Sequence, residues 1–84
     1  MFKLIIITPE KQFDPIDVSI VNLWTTEGQI GMLPNHMSYV VNVVEGDMTF
    51  DDQNKVRHTY RIGKGTFYFH QNEAQLLTDF AIEA

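Results

Sequence analysis

Turn-forming residues interrupt this chain so often that they leave little room for a helix. Clusters rich in Gly, Pro, Asn and Asp recur about every 6 to 12 residues. The clusters are Thr25–Gly28, Leu33–His36, Glu45–Asp47, Asp51–Asn54, Gly63–Gly65 and Gln71–Glu73. The runs between them are rich in β-branched and aromatic residues, which favour strands. No stretch keeps the apolar period of about 3.6 residues that a helix needs. The sequence therefore predicts an all-β fold, with two antiparallel sheets packed as a β-sandwich.

The runs between the turns define the predicted strands. These are Phe2–Ile7, Asp17–Leu23, Ser38–Val44, Met48–Phe50, Lys55–Arg61, Thr66–His70 and Ala74–Thr78. Alternation places Phe67 and Phe69 on one face of their strand, and it places Val18 and Ile20 on the face opposite Val21. Lys55–Arg61 is polar and alternates weakly, which predicts an exposed or edge strand. No linker or composition shift divides the chain, so we expect one domain over residues 1–84.

Composition excludes several classes of protein. The chain has no cysteine, which rules out disulfides and cysteine-based zinc sites. Its net charge of −5 disfavours binding to nucleic acid. No run approaches the roughly 20 apolar residues of a membrane-spanning helix. The apolar run at Phe2–Ile7 is too short for a signal peptide. We therefore expect a cytoplasmic chain without a membrane anchor of its own.

Candidate catalytic groups do not form recognisable patterns. The residues considered are the histidines His36, His58 and His70, the serines Ser19 and Ser38, and the carboxylates Glu27 and Asp47. The histidines lack the tight spacing of metal ligands. Neither serine lies in a Gly-x-Ser-x-Gly elbow. We expect no catalytic residue, no metal and no cofactor.

The segment Gly63–Lys64–Gly65 allows two interpretations. It lacks the Walker pattern of a phosphate-binding loop, and it predicts a tight hairpin in which glycine supplies positive φ. A lysine at such a turn is also the attachment point in lipoyl and biotin carrier domains. Lys64 lacks the acidic or methionine neighbours that usually accompany a carrier lysine.

The segment Thr25–His36 is the most informative part of the chain. Glu27–Gly31 predicts a polar turn in which Gly28 and Gly31 allow positive φ on both sides. Pro34 breaks any strand, and Asn35 tolerates the left-handed region well. Composition alone fits an ordinary loop pair and a rigid docking loop equally.

The order of the motifs resembles the N-terminal domain of epsilon subunits of F-type ATP synthases. Thr26–His36 (TEGQIGMLPNH) is similar to the central motif of that family, in which glycines precede a Pro-[Gly/Asn]-His ending. Weaker similarities occur, in family order, at Leu4–Lys11, Val44–Met48, Gly63–Phe67 and Thr78–Ile82. The resemblance covers the whole domain and implies a sandwich of about ten short strands.

The resemblance implies a non-catalytic subunit of the central stalk, which joins the gamma subunit to the membrane c-ring and supports coupling of ion flow to ATP synthesis. The residues that match the c-ring contact are Glu27, Gly28, Gln29, Ile30 and Gly31, and those that match positions toward gamma are Thr8 and His36. Gln29 stands where many members have a carboxylate, so we expect a contact by hydrogen bonding rather than by charge. The expected location is peripheral, at the cytoplasmic face of the membrane.

The comparison with the family also bears on regulation and on alternative functions. Family members often continue into a two-helix inhibitory domain, and this chain ends at Ala84, so we expect no inhibition or ATP sensing through such helices. The alternative functions are a generic β-sandwich module that binds a protein or glycan through the same loops, and a small enzyme or carrier domain.

Overall fold

A computed structural model describes all 84 residues and contains strands but no helix. The nine strands are β1 (Phe2–Ile7), β2 (Ile16–Thr25), β3 (Gly28–Met32), β4 (Tyr39–Val43), β5 (Gly46–Asp52), β6 (Arg57–Ile62), β7 (Gly65–His70), β8 (Glu73–Thr78) and β9 (Ala81–Glu83). The predicted all-β sandwich is confirmed, with nine strands where about ten were expected. No segment forms a helix long and apolar enough to cross a membrane.

Two strands lie where the sequence predicted none. Thr25–His36 was expected to be loop, yet β3 lies within it and pairs with β2 as a hairpin. The prediction failed because only Thr26 and Glu27 form the turn. The next five residues, Gly28–Met32, adopt an extended conformation and form β3. β9 follows the predicted last strand, and its three residues are too few to show a period.

Strand β2 connects the two halves of the sandwich. Its first residues pair with β1, its middle with β5, its last half with β3, and Thr25 with Val43 of β4. On one side the order β1-β8-β7-β4 forms the sheet that we call the first sheet. On the other side β5, β6 and β9 form the second sheet. The prediction of purely antiparallel sheets is wrong at one place, because β1 and β8 pair in parallel.

A β-bulge in β2 changes which of its side chains face the core. The pairing of β2 with β5 shifts register between Val18 and Ile20. The extra residue reverses the phase of the alternation, so Val18, Val21 and Leu23 are all buried. The prediction placed Val18 and Val21 on opposite faces because strict alternation cannot anticipate a bulge.

The core is one cluster to which β1 to β8 contribute. Sixteen buried residues form it: Phe2, Leu4, Ile6, Val18, Val21, Leu23, Met32, Val41, Val43, Met48, Phe50, Ile62, Phe67, Phe69, Ala74 and Leu76. Phe2 meets Phe69 edge to face, with ring centroids 5.2 Å apart. Each large side chain of this kind contributes about 1.5–3 kcal/mol when fully buried, so the inward faces hold the two sheets together.

The polar run Lys55–Arg61 predicted an exposed or edge strand, and β6 is partly exposed, with only Ile62 buried, but it is not an edge. It pairs with β5 on one side and with β9 on the other. Its polar character arises because its outward side chains form ion pairs with β5. Arg57 Nε lies 2.9 Å from Asp51 Oδ1, and Arg61 Nη1 lies 3.4 Å from Asp47 Oδ1. The short strand β9 takes the edge position instead.

The segment Gly63–Gly65 is not a hairpin. It links β6 to β7, which do not pair with each other, and neither glycine has a positive φ. Gly65 is needed for close approach, because a Cβ atom there would overlap the carbonyl oxygen of Leu77. Lys64 therefore does not occupy the tip of a hairpin between paired strands, as the carrier interpretation requires.

His58 lies between two carboxylates on the inner side of β6. Its Nε2 is 2.8 Å from Asp52 Oδ2, and its Nδ1 is 3.7 Å from Glu83 Oε2 on β9. The hydrogen bond with Asp52 is the main cause that raises the pKa of His58 above its usual 6.5. The same bond, with backbone N–H groups of Val56 and Asn54, lowers the pKa of Asp52 below 3.8. The hydrogen bond between His58 and Asp52 ties the β5–β6 turn to the sheet.

The His58 pair predicts a pH-dependent part of the stability. A raised histidine pKa stabilises the fold fully below the unfolded pKa, and this contribution is lost as the pH rises through the folded pKa. We expect the free energy of unfolding to be greater at a pH of about 6 than at about 9. His58→Gln should reduce this difference, and His70→Gln, at an exposed histidine with no carboxylate partner, should keep it. Urea unfolding at both pH values measures the free energy of unfolding. The same difference between the two pH values in the wild type and in His58→Gln would contradict the role of His58.

Candidate docking site

The turn between β2 and β3 is fixed by the buried residue Thr25. Its Oγ1 donates to the Gly28 carbonyl at 2.7 Å and accepts from the Glu27 backbone N–H at 3.0 Å. The Thr26 N–H donates to the carbonyl of Asn42 at 3.0 Å, which attaches the turn to β4. These bonds satisfy the backbone of the turn from within the chain. The turn is therefore held by hydrogen bonds within the chain rather than being a loose loop.

The two glycines of this hairpin have different roles. Gly28 has a φ of 103°, a backbone conformation that residues other than glycine rarely adopt. Gly31 has no positive φ, so the expectation of positive φ at both glycines is wrong for Gly31. Gly31 lies within β3 opposite Asn22, and a Cβ atom there would come within 2.9 Å of Asn22 Oδ1.

The five residues predicted to contact a ring do not share one surface. Gln29 and Gly31 are exposed and lie opposite Trp24 and Asn22 of β2. Ile30 lies on the other face of the strand and packs partly against the core. Glu27 and Gly28 form the tip. The outer surface of the hairpin therefore presents Glu27, Gly28, Gln29 and Gly31, while Ile30 holds it in place.

The structure connects Glu27 with His36 through Tyr39. The Tyr39 hydroxyl donates to Glu27 Oε1 at 2.8 Å, and this hydrogen bond raises the pKa of Tyr39. The His36 ring meets Tyr39 edge-on at 5.9 Å and Phe69 at 6.2 Å. His36 therefore covers one end of the core, beside the hairpin to which Glu27 belongs.

The loop that carries His36 is held by two asparagines. The Asn35 N–H donates to Asn72 Oδ1 at 2.7 Å, and Asn72 Nδ2 donates to Asn35 Oδ1 at 3.0 Å. Asn35 has a φ of 64°, in the left-handed region that asparagine tolerates well. Gln71 and Asn72, between β7 and β8, both have positive φ, which is typical of a two-residue hairpin turn.

Thr8 lies far from His36 along the first sheet. It follows Ile7, which pairs with Leu77 at one end of that sheet, whereas His36 lies beside Phe69 at the other end. Thr8 closes a tight turn with Lys11, and it borders an open groove of about 360 Å³. The two residues predicted to face gamma are therefore not neighbours; they mark opposite ends of the first sheet.

The outer face of the first sheet carries a surface that the sequence analysis did not single out. Its two middle rows run across β4, β7, β8 and β1 and contain no charged residue. One row is Val40, Tyr68, Gln75 and Ile5, and the other is Asn42, Thr66, Leu77 and Ile7. We call these eight residues the uncharged face. Alternation within each strand could indicate the outward residues, but only the strand order shows that they lie side by side.

The second sheet has the opposite character on its outer face. Asp47 lies across from Arg61, and Asp51 across from Arg57, so ion pairs cover it. Such exposed pairs add about 0–1 kcal/mol to stability, and they favour contact with water. No group of three or more His, Cys, Asp or Glu side chains is arranged so that it could hold a metal ion. The two sheets therefore present contrasting outer faces, one uncharged and one covered by ion pairs.

Comparison with known families agrees with this geometry. Residues 1–84 match the β-sandwich domain of the ATP synthase delta/epsilon chain. The ATP synthase epsilon chain of Campylobacter curvus is 34% identical over 77 residues, which are 92% of this chain and 60% of that protein. The epsilon chain of Mycoplasma mobile is 37% identical over 82 residues, which are 96% of this chain and 57% of that protein. The chain thus spans less than two thirds of these relatives.

Solved structures show the same fold. A chain from the Euglena gracilis mitochondrial ATP synthase, solved as an assembly of OSCP, F1 and c-ring, aligns with a TM-score of 0.85 at 18% identity, over 95% of this chain and 51% of that one. A chain from the central stalk and c-ring of the Tetrahymena thermophila enzyme aligns with a TM-score of 0.80 at 13% identity, over 95% of this chain and 64% of that one. At these identities the likeness concerns the fold.

The two glycines of the hairpin give a test of its geometry. Gly28→Ala should destabilise the fold by about 1–3 kcal/mol, because alanine is strained at a φ of 103°. Gly31→Ala has ordinary φ and needs only a small shift of the Asn22 amide, so we expect a cost below about 1 kcal/mol. Urea denaturation of both variants measures the difference, and a larger loss at Gly31 than at Gly28 would contradict the hairpin geometry.

Proposed function

The chain belongs to the delta/epsilon family of ATP synthase subunits by its β-sandwich domain, and from this we propose that it is a non-catalytic central-stalk subunit of a rotary F-type ATP synthase. In this role it joins the gamma subunit to the membrane c-ring and supports the coupling of ion flow to ATP synthesis. It reaches the membrane only through the complex, at the cytoplasmic face. It takes neither nucleic acid nor a small-molecule substrate as its partner.

The observation that carries this proposal is the uncharged face of the first sheet. In a chain with 17 charged residues among 84, eight neighbouring outward positions have none. Val40 is 71% exposed, and Leu77 is also exposed. Interface centres are depleted of charge and rich in apolar and aromatic groups such as Tyr68. We assign this face to gamma, because a broad flat sheet suits a partner that must stay attached while torque is transmitted.

The positions of Thr8 and His36 are compatible with this assignment. They lie beyond opposite ends of the first sheet, so a partner that covers the uncharged face along its length reaches both. A stable interface of standard size buries about 800 Å² on each partner. The eight residues of the face are the centre of such an interface, and Thr8 and His36 belong to its polar rim.

The β2–β3 hairpin is the proposed contact with the c-ring. Its residues Glu27, Gly28, Gln29 and Gly31 are exposed, and Ile30 packs the hairpin against the core. The Glu27 carboxylate is engaged with Tyr39 within the chain, which leaves the Gln29 amide as a free polar group at the centre. An amide both donates and accepts hydrogen bonds. Gln29 can therefore bond to a donor or to an acceptor in a partner turn.

A single added charge tests the gamma assignment. Val40→Asp places a carboxylate in the uncharged face at an exposed position, so folding should be unaffected within about 0.5 kcal/mol. Burying that unpaired charge against gamma should cost about 3 kcal/mol or more, which is a loss of affinity of at least about 100-fold. Titration calorimetry with the cognate gamma subunit measures this loss.

Val56→Asp is the matched control. Val56 is 51% exposed in the β5–β6 turn, outside the first sheet, and the substitution adds the same charge to the chain. We expect its affinity for gamma to stay within about twofold of the wild type, since exposed positions outside an interface contribute little. Equal affinity of the Val40→Asp and Val56→Asp variants for gamma would exclude the uncharged face as the gamma interface.

A further inference from the structure

The last strand, β9, has few contacts that hold it to the domain. It pairs only with β6, and two of its three side chains are exposed. At its start the Gly63 N–H donates to the Phe80 carbonyl at 3.1 Å, and at its end the Ala84 N–H donates to the Thr59 carbonyl at 2.9 Å. An element with so little buried surface opens locally at a low free energy. A single side-chain contact can therefore change how often the end of β9 is detached.

The side chain of Glu83 connects β9 to His58 of β6. Glu83 Oε2 lies 3.7 Å from His58 Nδ1, and the other ring nitrogen, Nε2, lies 2.8 Å from Asp52 Oδ2. The imidazole also stacks on the buried ring of Phe50, with centroids 5.0 Å apart and an angle of 19° between the planes. The ring is thus oriented by Phe50, and it stands between two carboxylates that belong to different strands.

The two carboxylates respond differently when His58 loses a proton. A carboxylate only accepts hydrogen bonds, so the short contact with Asp52 requires a proton on Nε2. The neutral ring keeps that proton and loses the one on Nδ1. Nδ1 then presents a lone pair to Glu83, and the attraction between opposite charges is lost. Only the protonated ring interacts favourably with both carboxylates at once.

The pKa of His58 is governed by these same two carboxylates. The hydrogen bond with Asp52 is the largest cause that raises it, partial burial lowers it, and Glu83 raises it further. Tyr60 lies two residues along the same strand, and burial, followed by the charge of Glu83, raises the pKa of Tyr60 above 10.0. Tyr60 therefore stays neutral over the pH range in which His58 titrates.

The remaining charges near this edge of the second sheet do not act on His58. Arg57 pairs with Asp51 on the outer face of the sheet. In the segment between β1 and β2, Lys11 Nζ lies 4.5 Å from the centroid of the Phe13 ring. Neither cation contributes to the pKa of His58. The charge of the imidazole is therefore the variable that decides how β6 and Glu83 interact.

We propose that His58 makes the attachment of β9 depend on pH: the protonated ring holds the end of β9 against β6 through Glu83, and loss of the proton increases the fraction of molecules in which this end is detached. Asp52 keeps its hydrogen bond in both states. Since the pKa of His58 lies above 6.5, β9 is held at acidic pH, and this stabilisation is lost as the pH rises through the raised pKa. Detachment frees the Thr59 carbonyl and makes β6 the edge of the sheet, where its backbone is open to another strand.

Amide hydrogen exchange, measured by NMR on the free chain, tests whether β9 detaches. The Ala84 N–H reports the end of β9, and the Val44 N–H, which donates to the Trp24 carbonyl at 3.1 Å, reports a region outside β6 and β9. Each rate is converted to a protection factor, which removes the intrinsic dependence of exchange on pH. Between a pH of about 6 and about 9, we expect protection of Ala84 to fall about two- to fivefold more than that of Val44, as for the loss of one exposed ion pair.

Glu83→Gln separates the attachment of β9 from the other effects of His58. The substitution removes the charge that faces Nδ1 and leaves Asp52 in place, and Glu83 is exposed, so the fold should be retained. We expect no additional fall at Ala84 in this variant. Glu73→Gln is the matched control, because it removes the same charge at an exposed position of β8, in the first sheet. It should keep the additional fall at Ala84.

Two results would overturn the proposal. Equal falls in protection at Ala84 and Val44 in the wild type would show that the whole domain responds to pH and that β9 does not detach separately. An additional fall at Ala84 that persists in full in Glu83→Gln would exclude Glu83 as the group through which His58 acts. Both measurements use the free chain, so neither result bears on whether the domain binds gamma or the c-ring.

Discussion

The structure depends on one strand that bonds to four others. β2 pairs with β1, β3, β4 and β5 along its ten residues, and no other strand links the two sheets so extensively. Its bulge allows Val18, Val21 and Leu23 all to face the core. The same strand presents Trp24 outward and ends at Thr25, which fixes the hairpin turn. The core and the projecting hairpin are therefore parts of one rigid element.

Stiffness is what links this architecture to the proposed role. A subunit between a rotating shaft and a ring must keep two contact surfaces at a constant separation. Here each surface is made of strands whose opposite faces fill a single close-packed core. In the proposed role, the difference in charge between the two outer faces decides which of them binds a partner. Ion pairs keep the second sheet in water, whereas the uncharged face leaves the first sheet free to be covered.

The sequence predicts the parts of the fold that obey local rules. Alternation placed Phe67 and Phe69 on the same face of their strand, and both are buried. Asn35 tolerates the left-handed region, and it has a positive φ. The prediction failed where a distant partner decides: β6 became an inner strand because β9 covers it, and Gly65 is required by the Leu77 carbonyl rather than by a turn. The uncharged face was missed for the same reason, since residues far apart in sequence meet only through the strand order.

Footprinting of side chains measures which outer face of the domain is covered in the assembled complex. Hydroxyl-radical oxidation of this chain is compared between the free protein and the assembled complex with gamma and the c-ring. We expect protection of Tyr68 and Leu77 on the uncharged face, with unchanged oxidation of Val56 in the β5–β6 turn. Protection confined to the second sheet, or equal oxidation of Tyr68, Leu77 and Val56 in both states, would contradict the assignment of the uncharged face to gamma.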